Sequence, residues 1–134
     1  MAITEKLSKD SKTEIPMIIS VDDHLVEPPH LWQTWLPNKF KEKGPRIERR
    51  RLGEMLWVGG SKMYEYELDA PDAPWCDIWF YEDLVYPNKR HVAAVGFARE
   101  EMTMSPITYD EMRPGCYEPK ARVEDMISNH VEAS

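Results

Sequence analysis

Apolar positions along the chain fall into short runs separated by charged or Pro- and Gly-rich stretches, and the spacing within each run predicts an element. Ile15-Pro16-Met17-Ile18-Ile19-Ser20-Val21 is a β-branched run with apolar residues on both faces. Such a run predicts a strand buried on both sides, as in a parallel sheet. Pro16 is tolerated at its start, where no ladder donor is required. The run ends at Asp22-Asp23-His24. Pro29 then opens a short helix whose apolar stripe is Leu31, Trp32, Trp35 and Leu36, and Pro37 closes it. Residues 46–51 and 54–58 read as a hairpin around Leu52-Gly53, followed by a turn at Gly59-Gly60-Ser61 and a third strand over 62–68. Residues 69–86 are rich in Pro, Asp and aromatics, and predict a loop that buries Trp75, Trp79, Phe80 and Tyr81 against something. Residues 87–101 are compatible with a helix, although Gly96 weakens it. Residues 109–117 are turn-like around Arg113-Pro114-Gly115. Pro119 opens a helix to about Asn129 with Val123, Met126 and Ile127 on one face, and 130–134 begins another strand. Residues 1–14 read as a flexible N-terminal tail.

Composition narrows the class. The 134 residues carry 17 Lys and Arg against 24 Asp and Glu, a formal charge of −7, with 42% hydrophobic and 31% charged residues. These values fit one globular domain and exclude wholesale disorder. The acidic balance speaks against nucleic acid as the partner. No apolar run approaches the roughly 18 residues of a membrane span, and the polar start lacks a secretory signal's apolar segment. Cys76 and Cys116 do not make a disulfide framework, so a reduced, cytoplasmic protein is expected. Charge is also segregated: residues 39–51 hold seven Lys or Arg, whereas 65–83 hold seven acids and no base. Solvated faces that pair with each other or with a partner account for this pattern.

The residues with chemical potential lie at the end of the first strand. In Asp22-x-His24 the two side chains are at i and i+2, so they point to the same side of an extended chain, while Asp23 points away. A carboxylate and an imidazole can converge on one divalent ion at about 2.0–2.2 Å each. On spacing alone, the favoured reading is a strand-end Asp that caps the next turn, with His24 hydrogen-bonded to it.

The surrounding string adds to this. Ile-Ile-Ser-Val-Asp-Asp-His-Leu-Val-Glu-Pro-Pro-His-Leu-Trp, residues 18–32, resembles the first strand of the amidohydrolase-related metal-dependent hydrolases, the branch that includes aminocarboxymuconate-semialdehyde decarboxylase. Asp-Glu-Met-Arg-Pro-Gly-Cys-Tyr-Glu-Pro-Lys-Ala-Arg-Val-Glu-Asp-Met, residues 110–126, resembles the segment leading into the helix before that family's second barrel strand. The resemblance implies an α/β fold, the N-terminal portion of a (β/α)8 TIM-type barrel comprising the first strand, helices and an inserted small antiparallel β subdomain at about 45–68. It implies one divalent metal, zinc most of all, with manganese or iron as alternatives, held in part by Asp22 and His24. Glu27 would orient His24, and Arg113 would meet a substrate carboxylate, although a loop carboxylate and a turn-fixing arginine are the plainer readings. His30, His91 and His130 do not match the family's later ligands.

Barrels of this kind need about 250 residues, and two ligands fall short of the three typical of catalytic zinc. The expectation is therefore a small subunit or fragment whose active site is completed by another chain: a companion large subunit or the remainder of the barrel, in a hetero-oligomer. The reaction implied is hydrolysis of an amide, ester or lactone bond in a small-molecule substrate by metal-activated water. The alternatives are a subunit of a non-oxidative metal-dependent decarboxylase, and a non-catalytic assembly or regulatory partner of a complete barrel enzyme.

Overall fold

The computed structural model describes residues 15–58 and 63–134; the tail and the Gly59-Gly60-Ser61 turn lie outside them. In chain order the elements are β1 (Ile18–Ile19), α1 (Leu31–Trp35), α2 (Asn38–Lys41), β2 (Arg46–Val58), β3 (Met63–Leu68), β4 (Trp75–Tyr81), β5 (Leu84–Pro87), α3 (Pro119–Ser128) and β6 (Val131–Ala133). They form two sheets: a parallel pair, β1 with β6, and an antiparallel sheet in the order β3-β2-β4-β5. The architecture is mixed α/β, and no closed barrel is present among the described residues. No helix there is long and apolar enough to cross a membrane.

The antiparallel sheet is larger than the sequence suggests. A turn was expected at Leu52-Gly53, yet 46–58 is one strand. Its first half pairs with β4, from Arg46 opposite Phe80 to Arg51 opposite Trp75, and its second half pairs with β3. The ladder is irregular between Leu52 and Met55, so Gly53 marks a bend within the strand. A β-carbon at Gly53 would come within 2.8 Å of the Ala70 methyl, which explains why the bend needs glycine. Residues 69–86, expected as loop, supply β4 and β5, joined by a tight turn in which Glu82 takes φ 50°. The antiparallel sheet therefore runs to Pro87, well past the expected boundary at 68. Beyond it, 87–101 is not a continuous helix; only single 3-10 turns form, at Arg90–Ala93 and Arg99–Glu101.

Strand alternation sorts the β4 side chains onto two faces. Cys76 and Ile78 pack with Leu52 into one fully apolar cluster, flanked by Tyr66, Leu68, Phe80 and Val85. Asp77 and Trp79 occupy the alternate positions. A second cluster, Val26, Ala93, Ile107, Tyr109, Met112 and Cys116, takes in Ile47 from β2 and so seats the irregular 88–118 segment on the sheet. The α1, α3 and β3 predictions agree with the structure to within a residue or two at their ends.

What joins segment to sheet is polar. Asp77 is 3% exposed at its side chain and takes a two-pronged contact from Arg49, Nε to Oδ1 at 2.8 Å and Nη2 to Oδ2 at 2.8 Å. The Tyr109 amide donates to Asp77 Oδ2 at 2.7 Å, and Arg49 Nη1 continues to Asp110 at 2.5 Å. The Asp77 main chain receives the Asn88 amide at 3.1 Å and donates to Ile107 at 3.3 Å. Arg49 sits directly opposite Asp77 in the ladder, so the expected pairing of the basic and acidic blocks occurs here, and again between Arg50 and Asp69.

The first strand departs from expectation in burial. Ile18 and Ile19 pair with Val131 and Ala133, but Ile19 is 68% exposed and Val21 93%. Nothing among the described residues covers this sheet's outer face, and β1 has a neighbour on one edge only. α3 adjoins β6, but its own apolar positions Val123 and Ile127 are exposed as well.

Replacing Asp77 by Ala should cost about 2–4 kcal/mol, because it leaves the Tyr109 amide unpaired and removes both acceptors of the Arg49 Nε–Nη2 fork, with only Nη1 still paired to Asp110. Urea denaturation of the variant should show this as a lower midpoint; an unchanged midpoint would mean that the Arg49–Asp77 contact does not hold the 88–118 segment.

Candidate functional site

The loop after β1 places its three polar residues in two directions. His24 Nε2 lies 3.4 Å from Asp22 Oδ1, and the two side chains are 88% and 91% exposed. They converge just past the carboxyl end of a strand that is paired in parallel, the end where α/β folds hold ligands. Asp23 faces the other way. Its carboxylate accepts from Ser20 Oγ at 2.8 Å and from the Arg122 guanidinium of α3. The Ser20 hydroxyl, with Arg122 behind it, holds this carboxyl below the ordinary carboxylate range. Asp23 thus ties the loop to α3 while Asp22 and His24 stay open to solvent.

As a donor set, one carboxylate oxygen and one imidazole nitrogen suit zinc, manganese or iron alike. The pair fits half of a metal centre. Among the described residues no group of three or more His, Cys, Asp or Glu side chains is placed to hold an ion, so any further ligand comes from outside them.

The other expected site residues are not drawn to this pair. Glu27 offers its carbonyl to the Tyr109 hydroxyl at 2.7 Å, while its side chain is exposed and makes no hydrogen bond to His24 among the described residues. Arg113 gives its fork to Asp125, with Nε to Oδ2 at 2.8 Å and Nη2 to Oδ1. That contact depresses the Asp125 carboxyl and clamps the 113–117 turn onto α3. Gly115 is required beneath it, since a β-carbon would overlap the Asp125 carboxylate. The fork is already occupied, which favours the turn-fixing role over a substrate contact. His130 lies in the α3–β6 connection with φ 57°, and His91 lies in a 3-10 turn. Of the aromatics, Trp79 is core, Phe80 flanks the apolar cluster and Trp75 is half exposed.

Two buried residues escaped the sequence reading. Asp77 is the buried partner of Arg49; its only signal was the opposition of basic and acidic blocks. Asn88, 1% exposed, bridges β4 and Ile107 through its main chain, and no periodicity marks it. Both thiols are buried and held towards their protonated form. Burial pushes Cys76 up to about 11 and its Sγ contacts the Asn88 carbonyl at 3.2 Å; burial raises Cys116 also.

No known protein-family model matches the chain, and no curated protein matches it.

The raised thiol makes a prediction for alkaline solution. An acid whose folded value lies above its ordinary 9.0 keeps its proton better in the folded state. Its contribution to stability is complete below about pH 9 and is lost as pH climbs towards 11. Tyr109, pushed by burial up to about 12, extends the loss higher. Urea midpoints should therefore fall across this window, and Cys76→Ala should flatten the lower part of the fall; a midpoint flat from pH 8.5 to 11 (about neutral-to-alkaline limits for this thiol) would show that Cys76 is not shielded.

Proposed function

We propose that this chain supplies part of the metal centre of an amidohydrolase-like, metal-dependent hydrolase. Asp22 and His24 are two of the metal ligands, and a companion large subunit, or the remainder of the barrel, provides the others. The observation that carries the reading is the convergence of Asp22 and His24 at the carboxyl end of β1 in a parallel pair. Support also comes from the uncovered apolar residues Ile18, Ile19 and Val21, which fit a sheet continued by foreign strands. The sequence resemblance over 18–32 and 110–126 points to the same fold and reaction class.

In this reading β1 and β6 are neighbouring strands of a (β/α)8 barrel, and the four-stranded sheet is the insertion between them. The metal, zinc in the first instance, would polarise the scissile carbonyl and lower the pKa of a water for attack on an amide, ester or lactone. This chain's own residues have simpler tasks. Asp22 and His24 present oxygen and nitrogen donors side by side. Asp23, locked to Ser20 and Arg122, holds the loop so that those donors face away from α3. The substrate is a small molecule, and the compartment is cytoplasmic.

The test is metal analysis of the assembly that the purified chain forms, alongside Asp22→Ala and His24→Ala. Each variant should lose at least about ten-fold in metal affinity, the lower end of what losing even an outer-shell partner costs, while the assembly stays intact by sedimentation. Full metal content and activity in both variants would refute the shared centre and leave only a scaffolding role.

A further inference from the structure

Away from the β1 loop, an open cleft of about 610 Å3 runs between the Trp75 end of β4 and the 105–111 segment; Arg49, Trp75, Arg90, Ser105, Thr108 and Glu111 are among the residues that line it. Its volume is within the range of small-molecule sites. The two arginines differ in how they are used. Arg49 has its Nε, Nη1 and Nη2 committed to Asp77 and Asp110 at 2.5–2.8 Å.

Arg90 is otherwise. Its Nη1 is 3.8 Å from Glu101 and its Nη2 is 3.7 Å from Glu111, both beyond hydrogen-bond reach. Its Nε is buried without a partner. The guanidinium is placed over the Phe97 ring at 4.8 Å, and the side chain is only 23% exposed. A guanidinium has five N–H donors, and among the described residues none of them makes a hydrogen bond. Such a group, fixed by stacking and mostly desolvated, is prepared for a planar, two-oxygen acceptor.

Its neighbours complete the chemistry. Glu111 is held beside it, its Oε2 accepting the Thr108 amide and hydroxyl, each at 2.9 Å, and its Oε1 facing Arg90 Nη2 at 3.7 Å. Ser105 Oγ accepts from Thr103 at 2.8 Å, which leaves its own proton for a ligand oxygen. Trp75, 50% exposed and steadied by the Arg51 guanidinium 4.5 Å from its ring, offers a flat apolar wall. Glu101 and Glu111, at 3.7–3.8 Å from Arg90, already offset part of its charge, so a second negative charge on the ligand is penalised and a dianion such as phosphate is disfavoured relative to a monoanion.

We propose that this cleft binds a planar aromatic monocarboxylate, its carboxylate on Arg90 and Ser105 and its ring against Trp75. The site does not depend on the metal reading, and its failure would leave that reading standing.

Benzoate is the probe, titrated against the full chain with any co-purifying chain retained, and followed by saturation-transfer NMR. Saturable binding is expected. Arg90→Gln, and equally Arg90→Lys, which keeps the charge but loses the fork, should weaken it at least about ten-fold. Trp75→Leu, at a half-exposed position that the fold tolerates, should weaken it several-fold, and neutral benzyl alcohol should not compete. The proposal is overturned if benzoate shows no saturation at about 10 mM, if the Arg90 variants bind as the parent does, or if inorganic phosphate displaces benzoate at equal concentration.

Discussion

The fold of the larger half turns on one buried carboxylate. A charge taken out of water is costly unless it is fully paired, and removing one partner of such a pair costs more than the pair contributes. Asp77 meets that condition with three donors: the two-pronged Arg49 from the neighbouring strand and the Tyr109 amide from the far segment. The contact is directional where the apolar clusters on either side of it are not. Ile47, Ile107 and Met112 supply burial, but burial alone would allow the 88–118 segment to slide along the sheet. Asp77 fixes the register with its carboxylate on the Tyr109 amide and its main chain on Asn88 and Ile107. Through Arg49 and Asp110, and through Tyr109 to the Glu27 carbonyl, the same node reaches the stretch just after the β1 loop.

The two sheets therefore differ in self-sufficiency. The antiparallel sheet has an apolar cluster between β2, β3 and β4 and a covered opposite face. The parallel pair has two short strands, apolar residues open to water, and an adjoining helix whose Val123 and Ile127 are exposed too. Parallel sheets are ordinarily covered on both faces, so this half has the surface of an interior without the layer that would make it one. The proposed division of a metal centre between this chain and other strands accounts for that surface and for the open Asp22 and His24 together.

Much of this was legible in the sequence where local chemistry decides structure. Pro29, Pro37 and Pro119 mark helix boundaries because proline fixes φ and removes a donor, and the period of Val123, Met126 and Ile127 fits α3. The Asp22–His24 convergence matches the expectation from two-residue alternation, although the strand stops at Ile19 and Asp23 is turned away by its bonds to Ser20 and Arg122. What escaped depends on long-range contact. Gly53 carries a turn residue's identity, yet the partner strands β3 and β4 on successive halves of β2 keep the chain extended through it. Trp75–Tyr81 has the composition of a loop, but its Asp is buried by an arginine 28 positions earlier. The burial forecast for 15–21 failed for the complementary reason: the pattern reports what the run is suited to pack against, and those neighbours are not among the described residues.

Amide hydrogen exchange tests the contrast between the halves most directly. In the chain on its own, the account predicts slow exchange for the β4 amides around Asp77, and fast, locally opening exchange for the Ile18 and Ser20 amides that bond to His130 and Ala133. On binding of the proposed companion strands, the Ile18 and Ser20 amides should become protected. Protection of those amides in the lone chain equal to that of β4 would contradict the account, since the parallel pair would then be complete without a foreign layer.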